Sequence, residues 1–331
     1  MILRTINLLL KKRTFNQFLL LMILFLSACS HIKNIPSQHL KQGSCYQENK
    51  VPYSNTKPPT PLHEIQLDSS LTLLFTPTSL NIANGLGILE LLTEYVHHQA
   101  RFQKNPTTES RLKSLELFQK IDYQINLSSL EISAVASELD CEEERISQLA
   151  DYMEEKEGEV EKRLTVAAIV VGASGAILAG VQTTDNGDKI IGVTGGVAEA
   201  TLGTFILLNK KNIDFIHPRN ALGEIWNGKI KSDIFPPSVW YYLCYFDPGH
   251  PDDKSIRDLI LQRWLGFEQI ENAKEKKREQ LIALYFGEGG RYTTEQLYNR
   301  ASMYDQLESY IKLMKQELTI LSIELNKLRM Q

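Results

Sequence analysis

Four cysteines, at positions 29, 45, 141 and 244, carry the most reactive side chains in this 331-residue chain. None stands in a CxxC pair, so a thioredoxin-like redox motif is absent. His97 and His98 are adjacent; on a helix their side chains diverge by about 100°, a poor geometry for chelating one metal. Asp247, His250, Asp252 and Asp253 have the oxygen-rich composition of a small metal site. Their spacing fits no known loop, and Pro248 and Pro251 mark a plain turn. Glu142, Glu143 and Glu144 with Arg145 read as a solvated helix face. Gly287-Glu288-Gly289-Gly290 precedes Arg291, Tyr292 and a helix start, a place where backbone N–H groups can receive an anion. GxSxG, HExxH, Walker A and dinucleotide-binding fingerprints are missing. No catalytic residue, metal ligand set or cofactor is expected.

Cys29 differs from the other thiols in what precedes it. Arg4 and Lys11-Lys12-Arg13 are followed by an apolar run from Phe15 to Leu26, broken only by Asn16 and Gln17. At about 12 residues this run is short for a bilayer span and right for an export signal. It ends in Leu26-Ser27-Ala28-Cys29. These four residues resemble the lipobox of bacterial lipoproteins: an aliphatic residue, two small residues, then cysteine. The resemblance implies cleavage before Cys29, lipidation of its thiol and acylation (palmitate-like chains) of the new amino terminus. Several buried chains, at roughly 0.8 kcal/mol per CH₂, hold a folded body on a bilayer. Ser30, rather than Asp, follows the cysteine. In enteric-type sorting that implies the outer membrane, facing the periplasm.

Residues 1–28 carry four basic groups and no acidic one, so the whole-chain charge of −4 becomes −8 in the remainder. So acidic a chain is a poor partner for nucleic acid, where binding is driven by phosphate neutralisation. Of the remaining thiols, Cys45, Cys141 and Cys244, an oxidising compartment allows one internal disulfide and one leftover. The sequence leaves the pair open.

The elements that would position these residues are mainly helical. Residues 29–78 hold Pro36, Pro52, Pro58, Pro59 and Pro61 and read as a tether. Leu71 to Phe75 is a short apolar stretch, a strand or a first docking segment. A helix capped by Ser79 should run to Lys104, where Asn105-Pro106 stops it. No proline occurs from Thr107 to His217. Thr107 or Thr108 can cap a helix whose sevens are Phe118, Ile125, Ile132, Leu139, Ile146, Met153 and Val160, all apolar. The paired positions, Ile121, Ser128, Val135, Glu142, Leu149, Lys156 and Arg163, are apolar at only three of seven. That is one strong seam and a half-seam, the pattern of a long helix in a bundle. Unbroken over 107–163 it would be about 85 Å long, with Gly158 its weakest point. The C-terminal helix, 293–331, capped by Thr293 or Thr294, mirrors it. Its seam runs through Leu297, Arg300, Tyr304, Leu307, Ile311, Met314, Leu318, Leu321, Leu325 and Leu328, apolar except for Arg300. Between the long helices, 210–292 holds all three tryptophans and the run Trp240 to Phe246. It reads as a small irregular aromatic cap with a strand pair near Ile213–Ile216.

Residues 164–208 contain eight of the 19 glycines. Leu164 to Val181 has no charge, Thr184 to Asp188 is a turn, and Ile190 to Leu208 has one charge, Glu199. Ala168, Gly172, Ala176 and Gly180 recur every four residues, as do Gly192, Gly196 and Ala200. Small residues at that interval let two helices approach closely, so a tight helical hairpin is expected. In spacing it resembles the glycine-zipper segments of bacterial envelope proteins. Either it packs in water or it enters a bilayer, in which case Glu199 would line something wet.

The expectation is a mainly α protein: a long antiparallel bundle over 79–163 and 293–331, a glycine-rich hairpin over 164–208 and a cap over 210–292. Its expected role is a non-enzymatic, membrane-tethered envelope lipoprotein with an envelope protein or a second copy as partner. Two alternatives stand beside it. A long helix running into an apolar hairpin and back resembles the layout of α-helical pore-forming toxins, from which the lipobox departs. An enzyme with an unrecognised site in 210–292 is the other.

Overall fold

The computed structural model describes residues 45–46, 58–181, 211–246, 248, 254–267, 270 and 273–330, all within one compact unit, Cys45–Gln331. Among them the protein is mainly α-helical with one two-stranded sheet. The expected export signal, Cys29, most of the expected tether and residues 182–210 lie outside the described residues.

The chain enters through a 3-10 turn at Leu62–Glu64, then α1 (Ser69–Leu74), α2 (Pro77–Gly85) and α3 (Leu89–Lys104). The long helix α4 (Thr108–Val181) follows, 74 residues in length. After β1 (Asn212–Ile216) come α5 (Ala221–Asn227), α6 (Pro237–Cys244), α7 (Ile256–Phe267) and α8 (Glu275–Phe286). Strand β2 (Gly289–Thr293) runs directly into α9 (Thr294–Met330).

The two seams meet as expected. Phe118, Ile125, Ile132, Leu139, Ile146 and Met153 are buried, Val160 is only half-buried, and all ten seam positions of α9 are buried. The helices run antiparallel: Thr294 Oγ1 donates to Glu157 Oε1, Lys315 Nζ to Ser133 Oγ, and Arg329 lies over the Phe118 ring. Thr107 caps α4, its Oγ1 accepting from Ser110 N. Thr293 caps α9, accepting from Gln296 N while Gln296 Oε1 accepts from Thr293 N, a reciprocal capping box.

Two expectations need correction. The folded body begins well before residue 79. Leu62, Leu71 and Phe75 are buried, and Leu71–Phe75 is part of helix α1 and its C-cap, not a strand. The single helix over 79–104 is two helices. Thr76, not Ser79, caps the first, and the chain turns at Gly87, whose φ of +70° favours glycine. Thr76 wins because Pro77 supplies the fixed φ of a first helical position, leaving Ser79 buried inside the helix. Helix α4 continues through Gly158, its expected weakest point, and on past residue 163. At about 1 kcal/mol, one glycine is too small a cost to end so long a helix.

Where the chain returns is also defined. Lys211 N donates to Glu157 Oε1 at 2.8 Å. The chain therefore leaves the level of Glu157 along α4 and comes back to the same carboxylate 54 residues later. The 24 residues 158–181 carry α4 roughly 36 Å past that level. Ala168, Gly172, Ala176 and Gly180 lie on this stretch. Their packing, and Gly192, Gly196, Glu199 and Ala200, fall outside the described residues.

Candidate functional site

The cap is built on aromatic packing. Phe235, Trp264 and Leu243 are fully buried, Trp226 stacks on Phe286 at 4.3 Å, and Phe235 stacks on Trp240 at 5.6 Å. Of the run 240–246, Trp240 to Leu243 is core and Phe246 is exposed.

β1 alternates, with Ile213 and Phe215 inward, and carries His217 inward at the next such position. It pairs with β2, Ile213 opposite Tyr292 and Ile216 opposite Gly289. The glycine-rich loop is therefore a strand edge. A Cβ at Gly289, where φ is +95°, would meet Phe215 O at 2.3 Å. Its backbone belongs to a sheet rather than to an anion cradle, and the α9 N-terminus is already capped.

A buried polar knot joins this ribbon to the α9 seam. Tyr292 Oη donates to Leu284 O at 2.5 Å, so the proton in the 2.8 Å contact between His217 Nε2 and Tyr292 Oη belongs to the imidazole. Burial first, then the positive charges of Arg300 and Arg145, pulls the His217 pKa down to about 2, against a smaller upward effect of Leu284 O. Burial likewise pushes Tyr292 up to about 12. Arg300, 1 % exposed, donates to Tyr285 O at 2.6 Å, to Asn220 Oδ1 at 3.0 Å and to Tyr304 Oη at 3.3 Å. Asn220 Nδ2 returns to Tyr285 O and Gly287 O. The knot holds a neutral imidazole with its Nε2 proton committed and a guanidinium on neutral acceptors. This arrangement fixes register between ribbon, cap and seam.

Two cavities flank the cap, and the N-terminal segment borders both. The first, about 350 Å³, is lined by Pro58, Pro59 and Pro61 against Trp240, Tyr241 and Tyr245. Tyr241 Oη pins this segment: it accepts from Leu62 N at 3.2 Å and Asn84 Nδ2 at 2.9 Å and donates to Asn81 Oδ1 at 2.8 Å. Tyr241→Phe strands the Leu62 N–H, and we expect a loss of about 2 kcal/mol in a urea titration, with new protease cleavage near residue 62. An unchanged midpoint would mean that water replaces the hydroxyl. Cys244 also lines this cavity, and burial pushes its thiol up to about 12, where it stays protonated.

The second cavity, about 460 Å³, lies between Tyr46, His217, Asn220, Glu224, Phe286 and Glu288. Beside it Arg219 Nε donates to Glu138 Oε1 at 2.6 Å, and the guanidinium lies 5.5 Å from the Tyr46 ring. Tyr46 is held there by its neighbour: Cys45 and Cys141 form the disulfide, leaving Cys244 free.

The remaining candidates separate. His97 Nε2 faces Asp68 Oδ2 at 3.1 Å, whereas His98 Nε2 donates to Ser110 O at 2.7 Å. Glu142 pairs with Arg145, and Glu143 and Glu144 accept from Ser147 and Gln148. Among the described residues no group of acidic, histidine and cysteine side chains could hold a metal ion. Asp247, His250, Asp252 and Asp253 lie outside them.

One further surface emerges on α4. Leu112, Leu115, Tyr123, Leu127 and Leu130 are exposed, Leu112 at 69 % and Leu130 at 67 %. At 100° per residue they lie within about 60° of one line, opposite the core positions Ile121, Ile125 and Ile132. Among the described residues no helix is long and apolar enough to cross a membrane.

No protein-family model, curated protein or solved structure matches the chain.

Proposed function

We propose that the chain is a lipid-anchored protein of the bacterial cell envelope, held through acylated Cys29 and facing the periplasm from the outer membrane. It acts without catalysis, as a helical post that binds an envelope protein or a second copy along its surfaces. The observation that carries this reading is α4 itself. A 74-residue helix with one face buried in a bundle and a stripe of leucines turned to solvent suits display and contact. The lipobox Leu26-Ser27-Ala28-Cys29 supplies the attachment, and the disulfide accords with an exported chain.

A second reading, membrane insertion by the 164–208 hairpin, draws on the continuation of α4 as helix through the uncharged residues 164–181. One experiment separates the two. Cys29→Ser is expected to abolish labelling by a palmitate analogue and to move the protein from membrane to soluble fraction. A Cys29→Ser chain that stays in the membrane and resists alkaline carbonate would overturn the post reading in favour of insertion.

A further inference from the structure

The apolar stripe of α4 has an internal symmetry. Counted outward from residue 121, Leu112 and Leu130 lie nine residues either side, Leu115 and Leu127 six, and Gln119 and Tyr123 two. Exposure follows the same symmetry: Leu112 is 69 % exposed and Leu130 67 %, Leu115 40 % and Leu127 37 %. Ile121, at the centre, lies on the opposite face and is fully buried. The five steps through 112, 115, 119, 123, 127 and 130 average 3.6 residues, the period of a straight helix, so the stripe keeps to one face. Two such faces laid antiparallel bring each residue level with its mirror. Leucine then meets leucine at four levels, and Tyr123 meets Gln119, whose amide can accept from the phenol. Matching of a face to itself reversed is what an isologous two-fold contact requires, and a partner of another sequence would not need it. The five apolar side chains expose an area on the order of 500 Å². Doubled, and with its polar rim, that reaches the about 1,200 Å² at which specific interfaces begin. The charges flanking the middle are already hydrogen-bonded within α4, Lys120 to Glu116 at 2.6 Å and Asn126 to Asp122 at 3.0 Å.

We propose that α4 pairs with α4 of a second copy, antiparallel, about a two-fold axis level with residue 121. The proposal rests on the reading of the chain as a contact-making post, and it names that post's partner and surface. Leu112 packs on Leu130 of the second copy, and Leu115 on Leu127. The contact runs from 112 to 130, about 27 Å of helix. Because the same patch serves both copies, the contact closes on itself: it makes a pair and cannot grow into a chain of subunits.

The test places a photo-crosslinking residue at position 112, or at position 130, of the full chain made with its export signal in a bacterial host. Both positions are largely exposed, so the fold tolerates the change. The expected product has twice the mass of the chain, with no larger species. After proteolysis, position 112 is expected to be joined to the segment around Leu130, and position 130 to the segment around Leu112. Leu112→Glu should cut the yield from a crosslinker at position 123 to about a tenth. Adding Leu130→Lys should restore it, because each mirror contact then joins opposite charges. Position 112 joined to position 112 means a parallel pair and overturns the proposal. An adduct to a different protein in place of the dimer also overturns it, and leaves the post reading standing with an envelope protein as partner. No adduct at all overturns the dimer and removes the stripe from the post's contact surfaces. Membrane fractionation of the same cells reads the lipid anchor, so a failed anchor and a failed dimer are separate results.

Discussion

Arg300→Ala is expected to destabilise the protein by roughly 3–5 kcal/mol, seen as a lower urea midpoint at unchanged slope. Arg300 is the one polar residue in a ten-position seam, and it is 1 % exposed. Its stem fills seam volume as a methionine would, and its fork donates to Tyr285 O, Asn220 Oδ1 and Tyr304 Oη. Alanine removes both at once. It leaves a cavity, and Asn220 Oδ1 loses its charged donor. Tyr285 O suffers less, because Asn220 Nδ2 also reaches it. Arg300→Met separates the contributions: it keeps the stem and deletes the fork. The guanidinium donates to a carbonyl, an amide and a phenol rather than to a carboxylate, and its buried Nε–H has no acceptor among the described residues. Methionine therefore recovers part of a desolvation cost, and we expect a loss under about 2 kcal/mol. If alanine and methionine cost the same, the fork rather than the packing dominates.

The second large effect is on acid stability. His217 is neutral in the fold, its pKa held near about 2 by burial and by Arg300 and Arg145. In the unfolded chain an imidazole titrates near 6.5. Because the folded pKa is depressed, the stabilisation is complete above pH 6.5 and is lost as pH falls toward about 2. Through that window the unfolded chain binds one proton more than the native one. His217 thus adds a slope of about 1.4 kcal/mol per pH unit. Urea midpoints at pH 7, 5.5 and 4 should fall steeply in the wild type and more gently, by one proton, in His217→Gln. Parallel curves would mean that His217 charges inside the fold. The two predictions are linked: in Arg300→Met the nearby positive charge is gone, so the folded His217 pKa should rise and the acid window over which this slope acts should close at a higher pH.

Much of the architecture was legible because helix periodicity is a strong signal. The sevens from Phe118 and from Leu297 identified the interface, and Arg300 stood out as the exception within it. What escaped were features set by tertiary contact. Gly87 breaks a helix because its φ is positive there, yet a glycine alone does not reveal its φ. Gly158, of the same residue type, sits in unbroken helix. The apolar stripe of α4 lacks a strict heptad, so only its exposure sets it apart from the core seam opposite. His217 carried a usable signal, being the third inward residue after Ile213 and Phe215. The pairing of Cys45 with Cys141 carried none, since 96 residues separate them. The hub role of Tyr241 was equally hidden, because its partners Asn81, Asn84 and Leu62 lie some 160 to 180 residues away.

The return of the chain to Glu157 makes the last 24 residues of α4 a lever arm. Its fulcrum is where Lys211 N and Thr294 Oγ1 meet one carboxylate. Over roughly 36 Å, a tilt of about 10° at that base sweeps the far end through about 6 Å. Small adjustments in the packing of α9 against α4 would thus become shifts of several ångströms at Val181. The force needed at the base is correspondingly larger than the force delivered at the tip.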